Sequence, residues 1–253
     1  MADPSSPMAN ALRQDDGPQV LEPVVLPPAS PTQLLDYIVS NHAYPLTLIV
    51  GSTREEFLQA LVDDVAASQS QQPADTQARH THPLLAASLF QIAVTKHIRL
   101  LFTPTVSHLR AYLSVFSPLD SAVPPPPGYE TNARSDNRWL VVYGMLNIHR
   151  NTSEWNAQGM MNSLSMFIDA ASHTEFKPVI IEPLPIKNEE STETSMQSEY
   201  GVENQYDWQR IRTEQVPLLG YKQSSDVRLS NRTVELGKIV ERWFRYFSEC
   251  QGQ

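Results

Sequence analysis

The chain has 253 residues, 41% of them hydrophobic and 19% charged, with a net charge of −9. That length suits one large domain or two small ones, and the acidic balance argues against a uniformly basic nucleic-acid binder. The single cysteine, Cys250, excludes an internal disulfide and Cys-rich zinc modules. No apolar run approaches the roughly 20 residues a bilayer span needs, and the N-terminus lacks the charged-then-apolar pattern of a leader. The expectation is a soluble, intracellular protein.

Residues 1–30, rich in Pro, Ser, Ala and Asp, read as a disordered tail that cannot bury enough apolar surface to offset ordering entropy. A short helix then opens at Pro31 with Thr32 as its cap and Leu34, Leu35, Tyr37 and Ile38 as apolar residues. Leu46 to Val50 is a short apolar run of the kind found in a strand buried on both faces. Gly51 ends it. Ser52 or Thr53 then caps a helix, with Glu55 and Glu56 at capping-box spacing. Phe57, Leu58, Leu61, Val62 and Val65 share one face of that helix.

Residues 67–82 read as a polar loop, and a second helix is expected from Pro83 with Leu84, Leu85, Leu89, Phe90 and Ala93. Ile98–Phe102 is the next strand, and Thr103-Pro104-Thr105 turns it into a helix carrying Leu109, Tyr112, Leu113 and Phe116. The loop from Ser117 to Asn137 contains Pro124 to Pro127, a polyproline-like run. Trp139 to Leu146 is the clearest strand. Thr152 or Ser153 is expected to cap the helix that holds Trp155, Met161, Leu164, Phe167, Ile168 and Ala171. Pro178 to Pro183 is a fourth strand.

Strands and helices in alternation imply parallel pairing through right-handed crossovers, hence an open α/β sheet flanked by helices. The domain limits follow: a tail over 1–30, an α/β core over 31–185, an acidic flexible loop over 186–206, and a part over 207–253 that completes the domain. Acidic residues from Glu182 to Asp207 mark the loop, and its Ser and Thr content would permit phosphorylation. In the last part, Leu236, Ile239, Val240, Trp243, Phe244 and Phe247 recur at helical spacing, which slightly favours a helix over a strand from Thr233 to Phe247.

No motif names a reaction. The turn Gly51-Ser52-Thr53 stands where a phosphate loop would, but the loop is too short to wrap a triphosphate and has no lysine. Glu55 and Glu56 repel an anion at that helix end, so a capped helix start is the plainer reading. The strand over Leu140–Val142 ends in Tyr143-Gly144, with no carboxylate for a magnesium ion. His80 and His82 lie in a polar loop without Cys, and there is no Gly-x-Ser-x-Gly elbow. No catalytic residue, metal or cofactor is assigned. Arg242, Trp243, Phe244 and Arg245 form the candidate partner- or DNA-binding surface, since basic residues beside aromatics suit interface centres and single strands.

The order of elements resembles the RecA-like recombinase core. Two stretches, Ile98 to Arg110 and Trp139 to Leu146, are similar to the small, diverged recombinase paralogues of Shu-type complexes, over roughly residues 44–185. The resemblance implies a RecA-like core without a working phosphate loop, and hence a pseudo-ATPase. It further implies a non-catalytic subunit that pairs with another recombinase paralogue or Shu-type subunit in homologous-recombination DNA repair. Single-stranded DNA would be met through the complex, and the location would be the nucleus, with the cytoplasm as an alternative. Two other readings stay open. One is an accessory RecA-like subunit of an assembly such as the tRNA-modifying Elongator. The other is a small-molecule α/β enzyme using Ser52, Thr53, Thr103, Thr105, Asn147 and His149 at the carboxyl edge of the sheet.

Overall fold

A computed structural model describes residues 22–41, 44–70, 85, 88–117, 138–184, 206–218 and 232–247. The strands are β1 (Val24–Val25), β2 (Leu46–Val50), β3 (Ile98–Phe102), β4 (Trp139–Tyr143), β5 (Lys177–Ile181), β6 (Gln215–Pro217), β7 (Thr233–Glu235) and β8 (Arg245–Tyr246). The α-helices are α1 (Pro31–Asn41), α2 (Arg54–Ser70), α3 (Leu89–Thr95), α4 (Val106–Ser114), α5 (Ala157–Thr174), α6 (Tyr206–Thr213) and α7 (Leu236–Val240). Six strands form one parallel sheet in the order β3-β2-β4-β5-β1-β8, and β6 and β7 make a separate antiparallel pair. The α/β class with an open parallel sheet, expected from the alternation of elements, is the observed fold.

Every residue of β2 and β4 is buried, which explains their unbroken apolar runs. One face of the sheet packs on α1 and on Phe57 of α2, through Leu34, Tyr37, Ile38, Leu48 and Val141. The other face packs on α4, α5 and α7, through Leu109, Leu164, Phe167 and Ile239. Side chains alternate between the two faces: Leu46, Leu48 and Val50 go to the first, and Ile49 to the second.

Several expectations need correction. Residues 22–30 are not part of a disordered tail, because Val24 and Val25 are a strand between β5 and β8 and Leu26 and Ala29 are fully buried. Three apolar residues make too short a run to read as a strand, and ladders on both sides supply what the pattern lacks. Residues 1–21 and the acidic stretch 186–205 lie outside the described residues. Helix α1 is capped by Ser30, not Thr32: Ser30 and Gln33 exchange side-chain bonds to each other's amides, and Pro31 takes the first helical position. Asn156, not Thr152 or Ser153, caps α5, its side chain accepting from Gly159 N at 2.9 Å. Of the face proposed for α2, Phe57 is buried while Leu58 and Val62 are exposed. The segment from Thr233 to Phe247 is neither one helix nor one strand but β7, α7 and β8 in turn.

Candidate functional site

Ligands of open α/β sheets bind beyond the carboxyl ends of the strands, where successive connections leave in opposite directions. Here that point lies between β2 and β4. The chain leaves β2 through α2 on one face and leaves β4 through α5 on the other. The groups at this edge are Gly51, Gly144, the turn Met145–Asn147 and Glu182.

The crevice is filled by the chain itself. Gly51 N donates to Tyr143 O at 2.8 Å and Gly144 N to Ile181 O at 2.8 Å, so the sheet ladder runs straight into the turns. Gly51 and Gly144 then lie back to back. A Cβ on Gly51 would meet Gly144 O at 2.7 Å and Ile148 Cγ2 at 2.8 Å, which is why a glycine stands there. Gly144 adopts φ +84°, and that left-handed turn sends the chain back over the strand ends so that Met145, Leu146 and Ile148 cover them.

Three carboxylates satisfy the amides of this edge. Glu182, just past β5, is buried and accepts from Leu146 N at 2.8 Å, with further bonds from Asn147 N and Met145 N. Burial pushes its carboxyl up to about 7, against the pull of those three amides and of Arg150. Asp64 of α2 reaches the start of α1, where Thr32 N donates to it at 3.0 Å and Thr32 Oγ1 donates as well. At the start of α2, Thr53 N donates to Glu56 at 2.9 Å and Glu56 N to Thr53 Oγ1 at 3.2 Å. That capping box holds the Glu56 carboxyl below its usual range. Tyr143 adds a bond from its hydroxyl to Ala29 O at 2.9 Å. Burial raises that hydroxyl, with Glu182 and Asp64 adding to the effect, so it stays a donor.

Below the edge runs a buried polar chain. Met145 O can only accept, so His149 Nδ1 carries the proton and donates to it at 2.7 Å. His149 Nε2 therefore accepts from Ser163 Oγ at 2.9 Å, and Ser163 Oγ accepts from Arg110 Nε at 2.9 Å. Arg110 also donates to Glu154 at 2.7 Å and Gly159 O at 2.8 Å. Burial keeps His149 below its ordinary range, hence neutral. With both His149 and Ser163 sealed from solvent, the pair fixes the β4–α5 connection and offers no substrate an approach.

The residues singled out from the sequence fall into separate places. Gly51, Ser52 and Thr53 are a turn and a cap. Of the six polar residues considered for an enzyme, His149 and Thr103 are buried, Thr53 and Thr105 cap helices, and Asn147 is exposed. The C-terminal candidates divide. Phe244 is buried and stacks on Phe167 with ring centroids 5.8 Å apart, so it is core and not a docking residue. Trp243 is 38% exposed, Arg242 is exposed with its guanidinium 3.9 Å from Met161 Sδ, and Arg245 is exposed and 3.4 Å from Glu22. The alternation of exposed Arg and buried aromatic follows from the short strand β8, which the helical spacing concealed.

Sequence reading missed Asp64 and Glu182. The sequence reading has Glu182 inside the strand Pro178 to Pro183 and counts it as the first acidic residue of the run to Asp207, with no role as a buried acceptor. The signal that separates it is its position directly after four apolar residues of β5. Among the described residues, no cluster of His, Cys, Asp or Glu is placed to hold a metal ion, and no helix is long and apolar enough to cross a membrane. No protein-family model and no curated protein matches the chain.

Proposed function

We propose that the protein is a non-catalytic, RecA-like subunit of a heteromeric complex that assists homologous-recombination DNA repair in the nucleus. The observation that carries the non-catalytic part is the closed carboxyl edge. Glu182, Asp64 and Glu56 occupy the amides that a phosphate would need, and Gly51 and Gly144 leave no gap between β2 and β4. Amides already taken by these carboxyl groups are not free to hold a phosphate, and the Glu56 carboxylate at the start of α2 repels a polyphosphate instead of attracting it. The resemblance of the order of elements to recombinase paralogues supports the repair setting. The exposed Arg242, Trp243 and Arg245 supply a surface for a paralogue subunit or a DNA backbone.

Affinity purification of the full chain from its own cell extract, with partners identified by mass, tests the setting. Recombinases or Shu-type subunits are the expected partners. Subunits of a tRNA-modifying assembly, or a monomer carrying a bound metabolite, overturn it. ATP turnover that disappears with Ser52→Ala or Thr53→Ala overturns the non-catalytic part. The double substitution Arg242→Glu and Arg245→Glu is expected to leave the melting temperature nearly unchanged, because exposed charges contribute little to folding. It is expected to weaken assembly with the purified partner. Unaltered affinity and salt dependence would remove this surface from the account.

A further inference from the structure

The parallel sheet ends on one side at β3, and among the described residues no strand lies beyond it. Thr103 N donates to Val50 O at 2.8 Å. Alternate residues of a strand bond to the same neighbour, so Arg99 and Leu101 also turn their amides and carbonyls to β2. Ile98, Leu100 and Phe102 turn theirs outward. Natural sheet edges are blunted by proline, bulges or several charges. β3 pairs with β2 residue for residue, so it has no bulge, and Arg99 is the one charged residue among its five. Leu100 is 44% exposed, and Leu89, Phe90 and Ile92 of α3, the helix that leads into β3, are exposed as well.

Charge says what kind of strand fits such an edge. The chain carries 28 acidic residues, yet none stands between Asp75 and Asp120, a stretch that holds Arg79, Lys96, Arg99 and Arg110. Arg110 is taken by Glu154 at 2.7 Å. Lys96, exposed just ahead of β3, and Arg99, 5.8 Å over the Tyr112 ring, give the edge its positive character. Ile98 and Phe102 pack on the α1–α2 side of the sheet, so Leu100 shares that side. Leu101 packs on the other side, and Arg99 shares that one.

We propose that the β3 edge docks an extended strand of a partner protein, with apolar residues on the Leu100 side and acidic residues on the Arg99 side. Main-chain bonds to Ile98, Leu100 and Phe102 supply the attachment, and the alternating side chains supply the choice of partner. A second copy of the chain fits worse. Two β3 strands paired antiparallel about Leu100 set their Arg99 side chains diagonal to each other on one face, where like charges repel. The edge lies at the opposite end of the sheet from β8 with its Arg245. It therefore stands or falls apart from the repair setting and from the Arg242 surface.

NMR on the full chain tests it. In the chain alone, hydrogen exchange should alternate, slow at the Arg99 and Leu101 amides and fast at Leu100. A Leu100 amide as slow as its neighbours overturns the open edge, whether another part of the chain or a second copy covers it. The chain is then titrated with a heptapeptide alternating valine and glutamate, and with the same peptide carrying lysine for glutamate. The glutamate peptide should slow exchange at Leu100 and bind about tenfold more tightly than the lysine peptide, the difference a few cross-strand charge contacts make. Arg99→Glu should reverse that preference. Leu100→Pro removes an outward amide, which an edge strand tolerates, and should abolish binding while the β2 amides stay protected. Should that variant not fold, Arg99→Glu decides. Equal binding of the two peptides, or no slowing at Leu100 by either, overturns the proposal.

Discussion

The two halves of the sheet are covered to very different extents. Over β4 and β5, helix α5 lays Met160, Leu164, Phe167 and Ala171 fully buried against the strands, and the His149–Ser163–Arg110 chain satisfies the polar groups beneath the turn. Over β2 and β3, Phe57 is the one buried residue of α2 and Val94 that of α3 among the described residues, and β3 at the sheet edge carries Leu100 half exposed. Of the eleven exposed large hydrophobics among the described residues, seven lie between Leu58 and Leu100: Leu58, Val62, Leu85, Leu89, Phe90, Ile92 and Leu100. The densely covered half can hold the fold by its own contacts. The other half carries apolar surface that gains nothing from the described fold, which fits a chain whose stability and whose contacts are assigned to opposite sides.

The largest test of that division is Phe167→Ala. Phe167 is fully buried and stacked on Phe244, so its removal takes both apolar burial and a partner ring. The expected loss is about 3–5 kcal/mol, read by chemical denaturation. A loss no larger than that of an exposed α2 residue would mean that the α5 side does not hold the fold.

A smaller loss is expected for Ser163→Ala. The hydroxyl links Arg110 Nε to His149 Nε2, and both would be left without that partner. Removing one member of a buried network costs about 1–3 kcal/mol. Because His149 is held neutral by burial, its protonation at lower pH should add to the loss in the variant. Stability equal to that of the unaltered chain would show that water replaces the serine, and that the network under the turn is looser than its distances imply.

Legibility in the sequence does not follow that division. Leu46–Val50 and Ile98–Phe102 are strands by length and composition, the run Trp139 to Leu146 is a strand only as far as Tyr143 before the chain turns at Gly144, and the alternation with helices gave the sheet its class. What stayed hidden depends on neighbours distant in sequence. Val24 and Val25 become a strand only because Val179, Ile180, Arg245 and Tyr246 flank them. Asp64 accepts from the Thr32 amide in the first turn of α1, 32 residues earlier in the chain, a bond no local pattern announces. Glu182 looked like the first charge of an acidic loop, and only the return of the β4 turn over β5 makes it an interior group. On α2 the helical spacing was right, but the spacing of apolar residues states which side they share, not whether anything covers it.

The smallest effect on folding, and the sharpest test of the comparison, comes from the uncovered half. Leu58 sits on the outer side of α2 and Leu89 opens α3 with 87% of its surface exposed. The double substitution Leu58→Gln and Leu89→Ser removes apolar area that the described fold leaves in water. Glutamine is as good a helix former as leucine, and serine is tolerated at a first helical turn, so neither change strains the backbone. Stability should stay within about 0.5 kcal/mol of the unaltered chain. Because contiguous exposed apolar surface promotes association, light scattering at rising concentration should show less self-association in the variant. A loss of more than about 2 kcal/mol would place these two leucines among residues covered by the chain itself. In that case the difference between the two halves would reflect segments outside the described residues folding over α2 and α3, and the apolar surface would belong to the core.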